Sequence, residues 1–511
     1  MLLRFAMKIL YLFFLSFYCL SCLKAKKTPF DLSNTSTGSL AFALIKPNTI
    51  SWNKIVSVSP LDGATGVSSS PTLSFSFQSK VLGSSLTVST SGTTCSGSIQ
   101  LSKDNFTTCL PFQSSPSTLD SISFSTLPTG SLWSQTLYKI KITKDILNSD
   151  GSQALEVDYV SSTGFTTGFP CSNCIQTSTM PGGVLIGAGA HNIALPDGRV
   201  LIVAGGGTAN TILFNNQTGV FTQGPSLLAN ANAGSNSFLI SSGSNSGKIL
   251  ILHGNPATSS SLFDPTLGTM SAGPSTANGS TNGANNISIT SGPNIGKVFV
   301  VVVNVNSTSI FNPATNLFTA GSSTVVGANC SSLGAGMHSI PQSNGSSIIL
   351  CGGGATAGSI TLDPTTISLT STGSATGTIG AGASSITIKA GVSSGKYLVI
   401  HGGIQNTTSI FDPTAISFSA GPILTANVGA GSSQIQIVHG TNANKILVVH
   451  GNSQTSSSLF DPTTGTFSAG ITLQSNIGNG GNSFYVSSGI YTGAGIIMHG
   501  GATGNISIFY P

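Results

Sequence analysis

The histidines are the side chains of this 511-residue chain best suited to acid–base or metal chemistry, and most of them recur at fixed positions of a repeat. Four follow apolar runs such as "ILILHG", namely His253, His401, His450 and His499. Equivalent positions of a repeated fold are spread apart, so we expect these four to pack or hydrogen-bond rather than share one metal ion. Two others, His191 and His338, share a different repeat position with Asn236, Asn285, Ser384, Ser433 and Asn482.

Carboxylates also follow the repeat. The stretch "SLFDPTTGTFSAG" (458–470) contains Asp461, and the equivalent positions elsewhere hold Asn215, Asp264, Asn312, Asp363, Asp412 and Tyr510. Because Asn replaces Asp freely, we expect a turn in which this side chain accepts a hydrogen bond from the backbone N–H two residues on. Residues 169–511 contain no Glu, and their other acid is Asp197. This composition argues against the paired carboxylates of a glycosidase. A sialidase-like site needs several arginines, and only Arg199 is present.

Eight cysteines could form disulfides or a metal site. Cys95 and Cys109 flank one short segment and form the best candidate pair. Cys171 and Cys174 form "CSNC", which we interpret as a local structural disulfide, since no second pair completes four metal ligands. For Cys330 and Cys351, pairing and burial as free thiols both remain open. We expect no metal and no cofactor.

Charge is sparse, because charged residues make up 6% of the chain and the formal net charge is +5. Nucleic-acid binding needs a concentrated basic stripe, and none is present. Short β-branched runs between segments rich in Ser, Thr, Asn and Gly predict an all-β protein with many turns.

The N-terminus indicates export. Arg4 and Lys8 precede the apolar run at 9–20, which is too short to span a bilayer comfortably. The following "CLSC" (19–22) resembles a relaxed bacterial lipobox, although Cys19 stands where the strict pattern has Leu. The resemblance implies a lipoprotein signal peptide over 1–21, acylation of Cys22 and a tether over 22–51. An ordinary secretory signal is the alternative, and Met1 and Met7 are both candidate starts.

Residues 52–168 predict a first domain of alternating strands. In "LYKIKIT", Tyr138, Ile140 and Ile142 should face inward, and about 115 residues of such strands fit a two-sheet sandwich. "SPLDGATGVSSSPTLSFSF", "LYKIKIT", "DILNSDGSQAL" and "GFTTG" occur in the order found in bacterial Ig-like domains of S-layer and other surface proteins. The domain resembles that family, which implies a spacer rather than an enzyme. We interpret Asp145, Asn148 and Asp150 as turn formers, since their spacing differs from that of a calcium loop.

Residues 169–511 contain seven repeats of about 49 residues, marked by glycines at 205, 254, 352, 402, 451 and 500. Four short strands in such a repeat are typical of a β-propeller blade. The apolar second strands often end in Gly-Gly, as in kelch repeats and the central domain of galactose oxidase, which the units resemble. The last unit stops after its third strand, so we predict that a strand around 174–180 completes it. A galactose-oxidase-like copper site needs two Tyr, two His and a crosslinked Cys; the tyrosines at 397, 485, 491 and 510 show no such arrangement.

The sequence therefore predicts an all-β protein with an Ig-like β-sandwich (52–168) followed by a seven-bladed kelch-like β-propeller (169–511). We expect a monomer anchored by lipid in the bacterial envelope, at the outer membrane or cell surface, that binds an extracellular protein or a glycan without catalysis. The ligand site is expected at the channel mouth, with His191, Asn236, Asn285, His338 and Asn482. The alternatives are a secreted carbohydrate-active enzyme using His191 and His338, and a structural envelope component.

Overall fold

The computed structural model describes residues 52–277, 285–302, 307–321, 330 and 333–511. The signal peptide over 1–21, Cys22 and the tether over 22–51 lie outside these ranges. The described chain is all-β; its helical turns are three short 3-10 segments, Gly83–Ser85, Pro181–Gly183 and Gly292–Asn294. Within the described residues, no helix is long and apolar enough to cross a membrane.

Residues 52–168 form two small antiparallel sheets around one shared core. The strands are β1 (Ile55–Ser59), β2 (Leu73–Phe77), β3 (Ile99–Ser102), β4 (Ser117–Thr118), β5 (Ser123–Thr126), β6 (Leu137–Ile142), β7 (Tyr159–Val160) and β8 (Phe165–Thr166). One sheet has the order β1-β2-β5-β4, and the other has β3-β6-β7 with β8 also on β6. The predicted alternation in β6 is confirmed, because Tyr138, Ile140 and Ile142 are buried between partly exposed lysines. The turn prediction also holds at Asp150, whose carboxylate accepts hydrogen bonds from Ser152.

From residue 174 onward the chain forms seven four-stranded antiparallel sheets, which we number in chain order. Sheet 7 takes its fourth strand, β9 (Cys174–Thr179), from before sheet 1. Sheets 1 to 3 comprise β10–β13 (His191–Ala194, Val200–Val203, Thr211–Asn215, Val220–Gln223), β14–β17 (Asn236–Leu239, Ile249–Leu252, Ser260–Asp264, Thr269–Ala272) and β18–β21 (Asn285–Ser288, Val298–Val302, Ser307–Asn312, Leu317–Ala320). Sheets 4 and 5 comprise β22–β25 (His338–Pro341, Ser347–Leu350, Gly358–Leu362, Leu369–Ser374) and β26–β29 (Ser384–Thr387, Tyr397–Ile400, Thr408–Asp412, Ser417–Ala420). Sheets 6 and 7 comprise β30–β33 (Ser433–Gln436, Ile446–Val449, Ser457–Asp461, Thr466–Ala469) and β34–β36 (Asn482–Tyr485, Gly495–Met498, Asn505–Tyr510) with β9.

The burial of the strands in each sheet agrees with the apolar pattern of the sequence. Second strands such as β11 and β31 are buried along their whole length, whereas fourth strands such as β13 and β33 are largely exposed. The apolar side chains of consecutive sheets pack face to face, because a strand that is hydrophobic on both faces must be covered on both faces. One apolar cluster lies between each pair of neighbouring sheets, and the cluster that contains Val200 and Ile496 joins sheet 7 to sheet 1.

The seven sheets form a closed cycle. Each first strand contacts the next first strand, and β34 contacts β10. Glycine permits the close approach: a Cβ on Gly382 would lie 1.9 Å from the carbonyl oxygen of Gly429, and one on Gly480 would lie equally close to that of Gly187. The same backbone contact thus recurs between sheets 5 and 6 and between sheets 7 and 1.

The predicted closing strand is confirmed. β9 pairs with β36 over six positions, from Asn505↔Thr179 to Tyr510↔Cys174. The side chain of Tyr510 is buried and its hydroxyl lies 3.1 Å from Oε1 of Gln176, to which it donates. This pairing completes the last sheet and covers the edge that β36 would otherwise expose.

Candidate functional site

The structure places the predicted site residues at one repeated position, the first residue of each first strand. Going around the cycle, this inner ring consists of His191, Asn236, Asn285, His338, Ser384, Ser433 and Asn482. Since neighbouring first strands contact one another, the inner ring follows the cycle of seven sheets. The two histidines belong to sheets 1 and 4 and are separated by the first strands of two intervening sheets.

The two histidines of the inner ring have the same local geometry. Nδ1 of His191 donates to the carbonyl oxygen of Gly189 at 2.9 Å, and Nδ1 of His338 donates to that of Gly336 at 2.9 Å. In a neutral imidazole the other nitrogen is then an acceptor. In both residues Nε2 is buried and has no hydrogen-bond partner among the described residues. Burial lowers the pKa of His191 to about 4 and lowers the pKa of His338, so both rings are neutral at pH 7.

Other members of the inner ring also carry buried polar atoms without a partner in the described chain. They are Nδ2 of Asn285, Oγ of Ser384 and Oγ of Ser433. Asn236 and Asn482 differ, because each Oδ1 accepts a hydrogen bond from the next backbone N–H. Buried polar groups are normally satisfied, so a row of unsatisfied ones around one ring indicates a place for water or a polar ligand.

The four histidines that follow second strands have a structural role, as the sequence predicts. His401 follows β27 and is fully buried; its Nδ1 lies 2.8 Å from Oγ1 of Thr407 and its Nε2 lies 2.7 Å from Oγ of Ser409. Ser409 in turn accepts a hydrogen bond from the backbone N–H of Thr376, which belongs to the segment leaving sheet 4. We call this cross-sheet arrangement the polar joint. It recurs around His253 and His450, whose serines accept hydrogen bonds from the backbone N–H groups of Leu228 and Thr425. His499 keeps the contact with Ser507, and its Nδ1 lies 2.6 Å from Oγ of Ser475. Burial lowers the pKa of all four histidines.

The polar joint depends on a second residue that the sequence analysis missed. Ser261, Ser409, Ser458 and Ser507 occupy one position of the third strand, and each partners a histidine. In sheets 1 and 4 the histidine position holds Ala204 and Cys351, and the serine position holds Ile212 and Ile360. Sheet 3 keeps the serine, Ser309, with Val302 at the histidine position, so the two positions do not always change together and the repeat alignment alone does not reveal the pair.

A disulfide takes the place of the polar joint before sheet 4. Cys330 bonds to Cys351, with their Cα atoms 5.8 Å apart. Cys330 lies eight residues before β22, as Thr376 lies eight before β26, while Cys351 follows β23 as His401 follows β27. The structure also joins Cys95 to Cys109 and Cys171 to Cys174, the two pairs that the sequence favours.

The turn acids act as predicted. Oδ1 of Asp461 accepts a hydrogen bond from the backbone N–H of Thr463 at 2.9 Å, and Oδ1 of Asn215 accepts one from Gln217 at the same distance. The hydrogen bond from Thr463 lowers the pKa of Asp461. Three of these acids also form ion pairs that the sequence did not indicate. Their partners are lysines just before the second strand: Lys248 with Asp264, Lys396 with Asp412 and Lys445 with Asp461, at 3.1 to 3.5 Å.

Charge is segregated between the two ends of the sheets. Residues 169–511 contain eleven charged side chains, comprising five Asp, five Lys and one Arg. All lie in or beside the connections from first to second or from third to fourth strands, which we call the charged end. The segments at the opposite end join second to third strands and each sheet to the next. They contain no Asp, Glu, Lys or Arg, and also no Trp, Tyr or Phe. We call this the charge-free end.

The described residues assemble no metal-binding cluster, since no three His, Cys, Asp or Glu side chains lie close enough to hold an ion. The four tyrosines of the repeat region lie at the charged end. The ring centroid of Tyr491 lies 6.4 Å from those of Phe214 and Tyr510. The hydroxyl of Tyr397 donates a hydrogen bond to the carbonyl oxygen of Pro341.

Comparisons with known proteins give similarity of structure only. No protein-family model matches the chain, and no curated protein matches it in sequence. A fungal alcohol oxidase, described as having catalytic diversity among the AA5 family and solved in complex with copper, is similar with a TM-score of 0.50 and 17% identity. The match covers 66% of this chain and 76% of that one. At this identity the similarity shows a common β-propeller-type fold and nothing about activity.

Two proteins of Bacteroides thetaiotaomicron match more of the chain but less closely. One is described as an auxiliary nutrient binding protein, with a TM-score of 0.35, 9% identity and coverage of 90% of this chain and 98% of that one. The other is a protein of unknown function, with a TM-score of 0.38, 11% identity and coverage of 91% and 99%. These similarities are too distant to support an argument about this chain.

Proposed function

We propose that the protein is a non-enzymatic binding module of the bacterial envelope, in which a seven-bladed propeller is carried on an Ig-like spacer and anchored through Cys22. The ligand engages the charge-free end and the inner ring. The observation that carries this proposal is the segregation of charge: eleven charged residues gather at one end, while the other end presents only uncharged side chains around a ring of unsatisfied polar atoms.

The position of the spacer supports a charge-free end that is available for binding. Within the compact unit 52–511, the backbone N–H and the hydroxyl of Ser134 donate to the carbonyl oxygen of Ile490, at 3.4 and 3.2 Å. Ile490 belongs to the connection between β34 and β35, which is at the charged end. A spacer that contacts the charged end leaves the charge-free end open to a ligand.

The composition of the charge-free end narrows the ligand to uncharged polar molecules. Anionic polymers and anionic lipids are attracted by Lys and Arg, which this end lacks. Tight protein interfaces depend on Trp, Tyr and Arg, which it also lacks. Its Asn, Gln, Ser and Thr side chains and exposed glycine backbone offer hydrogen-bond donors and acceptors without charge.

Charge introduced at either end tests this proposal. Ser453 and Asn479 are exposed at the charge-free end, and Thr463 is exposed at the charged end. We expect Ser453→Asp with Asn479→Asp to weaken binding to the glycan or envelope protein captured from a glycan array and pull-down, whereas Thr463→Asp should bind as the wild type does. Equal binding by all variants would contradict the proposal. Palmitate labelling that persists in Cys22→Ala would contradict the anchor.

A carbohydrate-active enzyme is a second candidate, favoured by the unpartnered Nε2 atoms of His191 and His338. If these nitrogens accept protons during turnover, the double variant His191→Gln/His338→Gln should lose glycan cleavage while keeping its melting temperature. Cleavage that survives in this variant would eliminate the enzyme hypothesis and leave the binding module in place.

A further inference from the structure

A groove of about 540 Å³ opens between sheets 6 and 7 on the charge-free end. Its walls are residues 177–179 of β9, Gln474 and Ser475 of the segment leaving sheet 6, and Asn505 and Ile506 of β36. Its volume falls within the range of about 300–1,000 Å³ typical of small-ligand sites. It lies outside the inner ring but on the same charge-free end.

The groove exists because the repeat changes at this joint. Gln474 lies eight residues before β34, where Thr425 precedes β30 and Thr376 precedes β26. The hydroxyl of Thr425 lies 2.7 Å from Oγ of Ser458, and its backbone N–H donates to the same oxygen at 3.0 Å. Those contacts hold the segment leaving sheet 5 against the third strand of sheet 6. Gln474 is exposed instead, and Ser507 keeps its contact with His499 at 2.7 Å.

A second change helps to line the groove. Asn505 stands where Ser456 and Thr407 contact their histidines, and Ser475 takes over that contact with Oγ 2.6 Å from Nδ1 of His499. Nδ2 of Asn505 donates to Oγ of Ser475 at 3.2 Å. Residues 177–179, Gln474, Ser475 and Asn505 therefore line an opening that contains no charged group.

Residues 177–179, which line the groove, belong to the edge strand of sheet 7. β9 is the last strand of sheet 7, and among the described strands it pairs with β36 alone, on its inner side. Its other edge presents alternating N–H and C=O groups, which hydrogen-bond to hydroxyls as well as to another strand. A ligand with many hydroxyls and no charge matches both the side chains and the backbone of the groove.

We infer that this groove binds one sugar residue of a neutral glycan, as a subsite on the charge-free end. The inference rests on the proposed binding function and specifies its ligand class. Uncharged amide and hydroxyl groups of the lining residues supply the hydrogen bonds. A charged sugar would find no counter-ion in the walls, so the site discriminates against uronic and sialic acids.

The test uses saturation-transfer NMR and titration of the purified full chain with maltohexaose, cellohexaose and chitohexaose, and with polygalacturonate fragments as the charged comparison. Gln474→Thr restores the residue found in the neighbouring sheets and should close the groove by contacting Ser507. We expect one neutral hexasaccharide to bind the wild type and to lose at least tenfold in affinity in Gln474→Thr, with an unchanged or higher melting temperature. Gln474→Ala keeps the groove open and should lose about threefold.

Two outcomes would overturn the inference. If a neutral hexasaccharide binds wild type and Gln474→Thr equally but is lost in Ser453→Asp/Asn479→Asp, the groove is not the subsite and the proposed function stands. If only the charged fragments bind, the ligand class is wrong. Loss of neutral-glycan binding in Gln474→Thr together with a normal response of Thr463→Asp supports the inference.

Discussion

Sheets 1 and 4 differ from sheets 2, 5, 6 and 7 in where they keep their histidine. In the larger group the histidine follows the second strand, and both ring nitrogens contact hydroxyls. In sheets 1 and 4 it begins the first strand, and one nitrogen is left without a partner in the described chain. The hairpins differ as well, with five residues between first and second strands at 195–199 and 342–346 and nine at 240–248.

The difference teaches that residue type alone does not separate structural from functional histidines. All six are buried enough to have a lowered pKa. The distinguishing feature is the partner: a serine on the neighbouring strand satisfies Nε2 in one group, and isoleucine at that position goes with the absence of the histidine in the other. An unsatisfied Nε2, rather than a lowered pKa, therefore distinguishes the candidate binding histidines from the structural ones.

The largest effect should come from breaking a polar joint. His401→Ala removes buried contacts and leaves Ser409 and Thr407 without their partner, which we expect to cost about 3 kcal/mol of unfolding free energy. Urea unfolding of His401→Ala, Ser409→Ala and the double variant measures the coupling, which should exceed about 0.5 kcal/mol. Strictly additive effects would show that the two residues do not act as a pair.

The disulfide that replaces the joint before sheet 4 should matter nearly as much. It closes a segment with a separation of 21 residues, so Cys330→Ser/Cys351→Ser should lose about 3 kcal/mol by the chain-entropy relation. The matched control, Cys171→Ser/Cys174→Ser, has a separation of 3 and should lose less. The triple variant Cys330→Thr, Cys351→His and Ile360→Ser replaces the disulfide by a polar joint and should recover part of the lost stability. If it recovers none, the disulfide and the polar joint are not equivalent.

Acid should weaken the protein because of the buried histidines. Above pH 6.5 the rings are neutral in both folded and unfolded chains, and the stabilisation is fully present. As the pH falls from 6.5 toward 4, the unfolded chain binds protons that the folded chain does not, since burial lowers the pKa of His401 and His450 to about 4. Urea midpoints should fall between pH 7.5 and 5.0, and less so in His401→Gln/His450→Gln. A constant midpoint would refute this dependence.

The smallest effect is expected at the turn acids. Asp461→Asn keeps the acceptor for Thr463 and loses a partly exposed surface ion pair with Lys445, so the change should stay within about 0.5 kcal/mol. Asp363 has no lysine partner among the described residues, and Asp363→Asn should be neutral. Thermal melts of both variants and of Asp461→Ala check this. Loss of ligand binding in Asp461→Asn would restore a functional role that we exclude.

The repeat made the strands predictable because every unit carries an apolar strand, and most units add a glycine turn and an Asp-Pro or Asn-Pro hairpin. The closing strand β9 could be predicted from the missing fourth strand of the last unit. The polar joints could not, since they depend on which serine of a third strand faces which histidine of a second strand. That pairing is read from strand register, for instance Ile400↔Thr408 beside His401 and Ser409.

The site was predicted only as a ring of positions. The sequence placed His191 and His338 at the start of first strands but gave no sign that Nδ1 donates to a carbonyl two residues earlier, which fixes Nε2 as the free nitrogen. The groove at Gln474 was missed because a single Thr-to-Gln departure looks neutral in sequence. Its effect appears only when the contact between Thr425 and Ser458 is seen in the neighbouring joint.

The pairing of β9 with β36 also sets the order in which the cycle can be completed. Gln176 and Tyr510 are 334 residues apart in sequence. β9 therefore cannot pair with β36 until all the intervening repeats have been synthesised. Contacts of such long range are formed slowly, because the chain entropy of closure is lost before the contact forms. Ring closure thereby acts as a completeness check: a chain that stops short of residues 505–510 leaves β9 as an open edge, exposed to pairing with other chains.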